Sequence, residues 1–152
     1  MSVAAAAKAY LVGENSVLRP LLNPSPSGGQ VIVGYSASGN SPREEVYGGT
    51  VVGPVELSAF AGGGRARRIE NLTLMLHIRV YKPGKKTTEE SDARAIAIGT
   101  VIGDYLATSD NWKLGGLALK AIVAGIELNG WIDDDGAGST LDLAIGLTSY
   151  LT

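Results

Sequence analysis

The sequence predicts an α+β fold: one domain over residues 1–152, with a four- to five-stranded, largely antiparallel sheet packed by an N-terminal helix and one long helix. The length fits one ordinary domain with its own core. Apolar residues recur at helical spacing in two segments and alternate in several others. The predicted order is helix, strand, strand, strand, helix, strand, strand, and this order favours an α+β layout.

The first helix is predicted to begin at Ser2, whose hydroxyl can cap it, and to end at Gly13. Its apolar residues recur at helical spacing: Val3, Ala7, Tyr10 and Leu11. A short helical turn is expected over 17–22, although Pro20 argues against a continuous helix there. The proline- and serine-rich segment 23–29 is predicted to be a loop.

Three strands are predicted next. Residues 31–35 alternate as in a strand, and 45–52 is expected to return as its hairpin partner. Residues 53–64 are loop-like and contain three consecutive glycines. The clearest alternation lies over 71–80, with five aliphatic residues on one face and polar residues on the other.

The long helix is predicted to open with a capping box, in which Thr87 is the cap and Glu90 lies three residues on. It is expected to run to about Ser109, with aliphatic residues and Tyr105 on one side. Two strands follow, over 117–132 and 141–147, joined by an acidic turn. These two segments are predicted to close the sheet as a hairpin.

The composition excludes several classes of function. The sequence contains no cysteine, which removes disulfides, thiolate metal sites and cysteine nucleophiles. The net charge of -2 gives no overall basic field for nucleic acid or an anionic membrane. No apolar stretch is long enough for a membrane span, and the N-terminal segment lacks the basic region of a signal peptide. We therefore expect a protein that is soluble when made.

Other features of the composition indicate self-association. Charged residues make up only 18% of the chain, against about 25% in typical soluble domains. The strand over 117–132 is apolar on both predicted faces, and the predicted helices can cover only one side of the sheet. Its two apolar sets are Leu117, Leu119, Ala121 and Val123 on one face, and Ile122, Ala124, Ile126 and Leu128 on the other. The alternative is that the N-terminal segment folds over the second face.

The charges are also segregated along the chain. Residues 1–86 hold ten Lys or Arg and five Glu, which gives +5, whereas residues 87–152 hold three Lys or Arg and ten Asp or Glu, which gives -7. Opposite poles suit head-to-tail contacts between copies, and such contacts can close into rings. The alternative is that folding brings the two halves together and cancels the asymmetry.

The sequence contains no complete catalytic or cofactor-binding motif. His77 lies mid-strand without a recognisable nucleophile, so a hydrolase is not expected. Gly62-Gly63-Gly64-Arg65 lacks the Lys-Ser/Thr ending of a phosphate-binding loop. The triple aspartate at 133–135 lacks a distal glutamate and is read as a hairpin turn, not a calcium loop. We expect no enzyme activity, no cofactor and no metal site.

The order of elements resembles the tail terminator proteins of long-tailed phages and related minor tail and neck proteins. The resemblance covers most of the chain loosely. It is carried by the N-terminal helix, the strand at Val31-Ile32-Val33-Gly34-Tyr35, the strand at Glu45-Val46-Tyr47-Gly48-Gly49, the start of the long strand at Arg67-Arg68-Ile69-Glu70-Asn71-Leu72-Thr73-Leu74, the helix over 88–106, and the closing strands over 122–131 and 141–150. The proline-serine loop and the triple aspartate have no counterpart in that pattern.

The resemblance implies a virion protein, assembled in the host cytoplasm, that forms a ring of copies of itself, commonly a hexamer. Such a ring caps the completed tail tube, ends its polymerisation and joins the tail to the head connector at the head-tail junction. Its partners are the tube and connector proteins and the DNA that passes through the lumen without sequence-specific binding; no membrane is involved. Such proteins have no catalytic residues.

Under this resemblance, two sets of interface residues are expected. The axial contacts to tube or connector fall in the loops over 36–45 and 53–68, at Arg43, Glu44, Arg65, Arg67 and Arg68. The ring contacts fall on the apolar sheet face and the small residues of the last strand, at Leu119, Ala121, Val123, Ala144, Gly146 and Thr148.

Three alternatives remain open from the sequence. Another head-tail connector, tail-completion or tail tube protein would show the same composition. A small-ligand-binding α+β domain is the second alternative. The third is an enzyme acting through carboxylates, for which Glu127 and Asp142 across the last hairpin are the candidate pair.

Overall fold

A computed structural model of the protein describes residues 2–25, 31–39, 42–53, 55–57 and 68–150. The fold is the predicted α+β fold, with one mostly antiparallel sheet and packed helices. The bounds are α1 Ala4–Val12, α2 Leu18–Leu22, β1 Ile32–Gly34, β2 Glu44–Val52, β3 Val55–Leu57, β4 Arg68–Pro83, α3 Glu89–Ala107, a 3-10 turn Asn111–Gly116, β5 Lys120–Ile132 and β6 Gly136–Tyr150.

The strand order across the sheet is β1-β2-β4-β6-β5, with β3 pairing β4 outside this path. All pairs are antiparallel except β1 with β2, which is parallel over three residues. The prediction that residues 31–35 and 45–52 form a hairpin is therefore wrong. Because the two strands run in the same direction, the chain between them has to cross back before β2 begins.

The helices pack on one face of the sheet, called here the helix face. Burial alternates along β4 from Ile69 to Val80 and along β6 from Ser139 to Ser149, and the buried positions of these two stretches lie on this face. A Cβ added at Gly99 of α3 would lie within van der Waals reach of β4 and β6 side chains, and one at Gly48 of β2 would meet Val12 of α1. Both helices therefore cover the same side, and the opposite side is called the open face.

The N-terminal helix is anchored by a buried carboxylate on β4. Glu70 is 1% exposed, and its Oε1 accepts hydrogen bonds from the Val3 N–H at 2.7 Å and the Ser2 hydroxyl at 3.1 Å. The Ser2 Oγ also accepts the N–H of Ala4. Gly13 ends the helix, as predicted, in an extended conformation, whereas the predicted cap is one residue early: Val3 occupies the N-cap position, and Ser2 precedes it.

The predicted capping box of Thr87 and Glu90 is wrong: the N-cap position is Thr88, one residue later, and its side chain makes no capping hydrogen bond. The helix begins at Glu89 with Thr88 before it, while Glu90 pairs with Lys85 at 3.0 Å. The Thr88 hydroxyl donates to Asp92, whose other oxygen accepts from Ser139 on β6. The helix start is thus held by side chains that reach to the sheet, and this tertiary contact replaces the local box.

Candidate self-association surface

Strand β5 is an open edge of the sheet. It is 13 residues long and, among the described strands, pairs only with β6, so no described strand lies along the other side of its backbone. A long edge strand of this kind is a template for pairing with another chain unless charges, proline or a covering element block it. Only Lys120 and Glu127 within β5 are charged, and the strand contains no proline.

A bulge in β5 exchanges its two faces. Ile122 lies opposite Gly146, whereas Ile126 lies opposite Leu143, and the register shifts between Val123 and Gly125. Directly opposed residues share a face, so Ile122 belongs to the open face and Ile126 to the helix face. The prediction that Ile122, Ala124, Ile126 and Leu128 share one face is therefore wrong, because the bulge inserts one residue into the alternation.

Past the bulge, β5 presents an apolar edge, defined as Ile126, Leu128 and Ile132. These side chains point to the helix face, opposite residues that are buried beneath the helices. They are nevertheless 68%, 37% and 59% exposed, respectively. Past the bulge, the core of the fold therefore ends at β6, and β5 carries apolar side chains that the described helices leave exposed to water.

The long helix stops short of this edge because of its own periodicity. Its buried residues lie on one stripe, which packs over β4 and β6. Gly103 lies on the flank toward β5, where a Cβ would be 3.8 Å from Val123. Ile96 falls on the same flank by helical spacing and is exposed. The small residue at 103 and the exposed Ile96 leave the flank beside β5 apolar and uncovered.

A shallow apolar groove continues this surface toward the start of β5. It has a volume of about 260 Å³ and lies between the C-terminal part of α3 and the strand. Its lining is Leu106, Ala107, Trp112, Leu119, Lys120 and Ile122. Trp112 therefore forms part of a surface groove beside the edge strand, and the apolar edge and groove together run along one side of the molecule.

The open face of the two central strands is polar, so the apolar character that the sequence predicts on both faces of 117–132 does not extend across the sheet. One row across the sheet consists of Tyr47, His77, Asp142 and Glu127, one residue each from β2, β4, β6 and β5. The His77 Nδ1 and Asp142 Oδ1 lie 2.6 Å apart. Polar residues occupy this face because no helix covers it, so the apolar excess is confined to the β5 side.

Small residues of β6 form the floor of a depression on the open face. Ala124, Gly146 and Thr148 line it, with Asn71 of β4 and Lys120 of β5 at its polar side, and its volume is about 340 Å³. The Thr148 hydroxyl donates to the Asn71 Oδ1 at 3.0 Å. This depression is the concave feature that a small ligand or a neighbouring side chain could enter.

The six predicted ring-contact residues do not lie on one surface. Leu119 is exposed at the groove, and Val123 is partly buried on the helix face. Ala121 is 0% exposed beneath the helices, so it cannot contact a neighbour in this fold. The other three, Ala144, Gly146 and Thr148, lie half-buried on the open face.

The predicted axial residues have different surroundings. Arg43 is exposed, but Glu44 is engaged by Arg94 of α3, whose Nε and Nη2 donate to its two carboxylate oxygens at 2.7 and 3.0 Å. This hydrogen bond raises the pKa of Arg94 above its usual value, against a smaller effect of burial. Glu44 therefore pairs within the chain in this structure. Arg65 and Arg67 lie outside the described residues, and only the backbone of Arg68 is described.

The charge poles expected from the sequence partly neutralise each other. The Gly84 N–H donates to the Asp135 carbonyl, so the basic turn over 82–86 lies beside the acidic turn over 133–135. The Tyr81 hydroxyl donates to the Asp133 carboxylate at 3.0 Å. The alternative in which folding brings the two charged halves together is thus realised at these turns, which weakens the case for charge-driven contacts between copies.

The carboxylate pair proposed for an enzyme is adjacent but lies on a flat surface. Glu127 and Asp142 are directly opposed on the open face, and Asp142 is held by His77. The Glu127 Oε1 accepts a hydrogen bond from the Asn129 amide at 3.0 Å. Across the described ranges, no three His, Cys, Asp or Glu side chains are grouped as a metal site would require.

Two features of this surface were missed from the sequence. The edge position of β5 follows from the strand order, which no local pattern encodes. The bulge had a signal in Gly125, because an isolated glycine inside a strand pattern often marks a bulge. Reading that glycine as a bulge would have placed Ile126 and Leu128 on the helix face.

No helix in the described part of the chain has the length and apolar character that crossing a membrane requires. No protein family model matches the chain, and no curated protein sequence matches it.

Proposed function

We propose that the protein is a non-catalytic virion assembly subunit: a phage tail terminator that forms a ring on the completed tail tube, ends its polymerisation and joins the tail to the head connector. The observation that carries the self-associating part of this proposal is the open apolar edge of β5. Thirteen residues of unpaired strand edge with exposed Ile126 and Ile132 are a surface that association would bury.

The element order supports the choice of family. The resemblance depends on an N-terminal helix, an early strand pair, a long strand, a long helix and a closing hairpin, and the fold contains these elements in this order. The role of a terminator is carried by its interfaces. Lateral contacts build the ring, one axial face matches the last tube ring, and the opposite face does not support another ring.

The first test is the assembly state of the purified protein. We expect light scattering to report a mass that rises with concentration to a fixed multiple of 15.7 kDa, and negative-stain microscopy to show closed rings. Open tubes that continue to grow would instead favour a tail tube protein. A strict monomer at every concentration would remove the support for self-association in solution.

The second test addresses the terminator role itself. The tube protein of the same phage would be polymerised alone and with increasing amounts of this protein, and tube lengths would be measured by electron microscopy. A terminator shortens the tubes and appears as a cap at one end. An unchanged length distribution, with rings present in the same grid, would contradict the capping function while leaving ring formation intact.

A small-ligand-binding domain is the second candidate, and the depression beside Gly146 favours it. A monomer in which a small-molecule screen shifts the amide resonances of Asn71 and Thr148, and not those of β5 past the bulge, would support that candidate over the ring.

A further inference from the structure

The backbone of β5 past the bulge points alternately toward β6 and away from it. The Asp133 N–H donates to the Gly136 carbonyl at 2.9 Å, which marks that opposed pair as hydrogen-bonded. In an antiparallel ladder, hydrogen-bonded and non-hydrogen-bonded pairs alternate. Glu127, Asn129 and Trp131 therefore bond to β6, while the N–H and C=O groups of the intervening residues face the open edge: Ile126, Leu128, Gly130 and Ile132.

These four outward-facing residues include the three side chains of the apolar edge. Their backbone groups make no hydrogen bond to any turn or loop in the described ranges. Such a row of donors and acceptors, spaced along about 23 Å, is matched by an extended strand, because a helix has no free backbone groups along its side. A strand added here would also lie against the exposed side chains of Ile126 and Ile132.

A second open edge lies at the opposite side of the same sheet. Strand β1 covers only Glu45–Tyr47 of β2, and the rest of β2 has no partner on its outer side among the described strands. Val52 on this uncovered part is 61% exposed, and Thr50 is exposed as well. Within the described ranges, each copy therefore carries two strand edges without a partner strand, at opposite sides of one sheet.

We infer that β5 of one copy pairs with the uncovered outer edge of β2 in a second copy, so that the sheet continues from subunit to subunit. The occupant is a second copy because the chain itself supplies both edges, at opposite sides of one sheet. Two different edges make a head-to-tail contact, which repeats until a ring closes. This inference rests on the proposed ring and specifies its lateral interface.

Single charges placed on each edge test the contact. Ile126→Lys and Val52→Lys each alter a side chain that is mostly exposed, so the monomer is expected to fold normally. Each should weaken self-association by about 30-fold or more, the effect of removing one central interface residue. The matched control is Val101→Lys, an exposed apolar residue of α3 on the flank away from β5, which should assemble like the parent.

Mixing the two edge variants distinguishes pairing of β5 with β2 from pairing of β5 with β5 of another copy. In a head-to-tail contact, Ile126→Lys retains a working β2 edge and Val52→Lys retains a working β5 edge. Their equimolar mixture should therefore give dimers and no rings. If β5 instead pairs with β5 of another copy, Val52→Lys alone still dimerises and the mixture adds nothing. That result would overturn the inference.

Amide hydrogen exchange gives a signature specific to strand pairing. In the Ile126→Lys monomer, the amides of Leu128, Gly130 and Ile132 should exchange fast, while those of Asn129 and Trp131 stay protected by β6. Assembly of the parent protein should protect the first set as well. Docking through side chains alone would leave the alternation unchanged in the assembled form, and this outcome also overturns the inference.

The outcome separates this inference from the proposed function. Rings that survive both edge substitutions would leave the terminator proposal standing and refute this interface. If rings joined through these strand edges form but do not cap the tubes, the interface stands and the terminator proposal is refuted. A parent protein that remains monomeric at the highest attainable concentration, with fast exchange at the outward amides, refutes the interface directly.

Discussion

Single residues fix the end of the closing hairpin. A Cβ on Gly138 of β6 would overlap the indole ring of Trp131, which lies opposite it on β5. The Arg79 guanidinium lies 5.9 Å from the same ring. The glycine thus lets the indole lie flat on the open face, where it packs against β6.

Gly138→Ala should displace this indole. The added methyl needs the space that the ring occupies, and overpacking of this kind costs about 1–3 kcal/mol. Urea unfolding followed by tryptophan fluorescence measures both the lost stability and the altered environment of Trp131. Gly125→Ala is the control on the same strand pair, because a Cβ there would lie 3.9 Å from its nearest neighbour. Equal stabilities for the two variants would refute this role for Gly138.

Asp133 makes the hairpin turn dependent on pH. Partial desolvation raises its pKa, but hydrogen bonds from the Tyr81 hydroxyl and from the N–H groups of Asp135 and Gly136 outweigh this, and the pKa of Asp133 falls below its usual value. A carboxylate with a lowered pKa in the folded state stabilises the fold above its unfolded pKa. This contribution is lost as the pH falls through the folded pKa.

Asp133→Asn should therefore lower the unfolding midpoint at about pH 6, and this effect should diminish as the pH is lowered toward about 2, because the parent carboxylate loses its charge as the pH falls through the folded pKa. Thermal melts at both pH values measure the difference. Asp134→Asn is the control, since this neighbour is exposed and makes none of these three hydrogen bonds. A loss of stability that is the same at both pH values would exclude the ionised carboxylate as its source.

At the scale of elements, the places where local patterns failed share a cause. The Thr87 and Glu90 pattern predicted a capping box, but Glu90 pairs with Lys85 and the helix start is held by Asp92 and Ser139. A capping rule considers only residues that are close in sequence. The hydrogen bond that holds the start of α3 joins Asp92 to Ser139 of the sheet, 47 residues away. The misplaced face of β5 has the same origin, because a bulge is defined relative to a partner strand.

The docking of α1 depends on a tertiary contact of this kind, to Glu70. Glu70→Ala would leave the Val3 N–H without its acceptor and remove the negative charge near the N-terminus of the helix, at a cost of about 1–3 kcal/mol. Hydrogen exchange should show protection lost first in α1, with β4 and β6 less affected. Glu14→Ala, an exposed carboxylate just past the same helix, is the control. Uniform loss of protection would contradict a local anchor.

At the scale of the whole molecule, the apolar edge and the charge distribution favour different driving forces for assembly. The sequence holds +5 in residues 1–86 and -7 in residues 87–152. In the fold, however, the basic turn over 82–86 lies beside the acidic turn over 133–135, and Lys85 pairs with Glu90. The charge asymmetry is partly cancelled within the fold, whereas the strand edge of β5 and its aliphatic side chains remain exposed. Burial of this apolar edge is therefore the stronger driving force for assembly.

Self-association should therefore depend weakly on salt. Raising sodium chloride from about 50 mM to about 500 mM shortens the screening length severalfold, yet the dissociation constant should change by less than about threefold. Sodium sulfate should strengthen association, because it favours apolar burial. Sedimentation equilibrium in both salts measures this. If sodium chloride instead weakens self-association steeply, attraction between the oppositely charged regions is its main driving force.

The sequence by itself determined the kind and order of the elements, because helical and strand spacing of apolar residues is a local property. It left open whether the N-terminal segment covers the second face of the sheet, and the fold places both α1 and α3 on the same side. Only the tertiary structure decided that β1 and β2 are parallel, that β5 is the edge, and that its bulge turns Ile126 toward the helix face. Which strand remains unpaired depends on contacts between distant segments, and for that physical reason the candidate interface became visible in the fold alone.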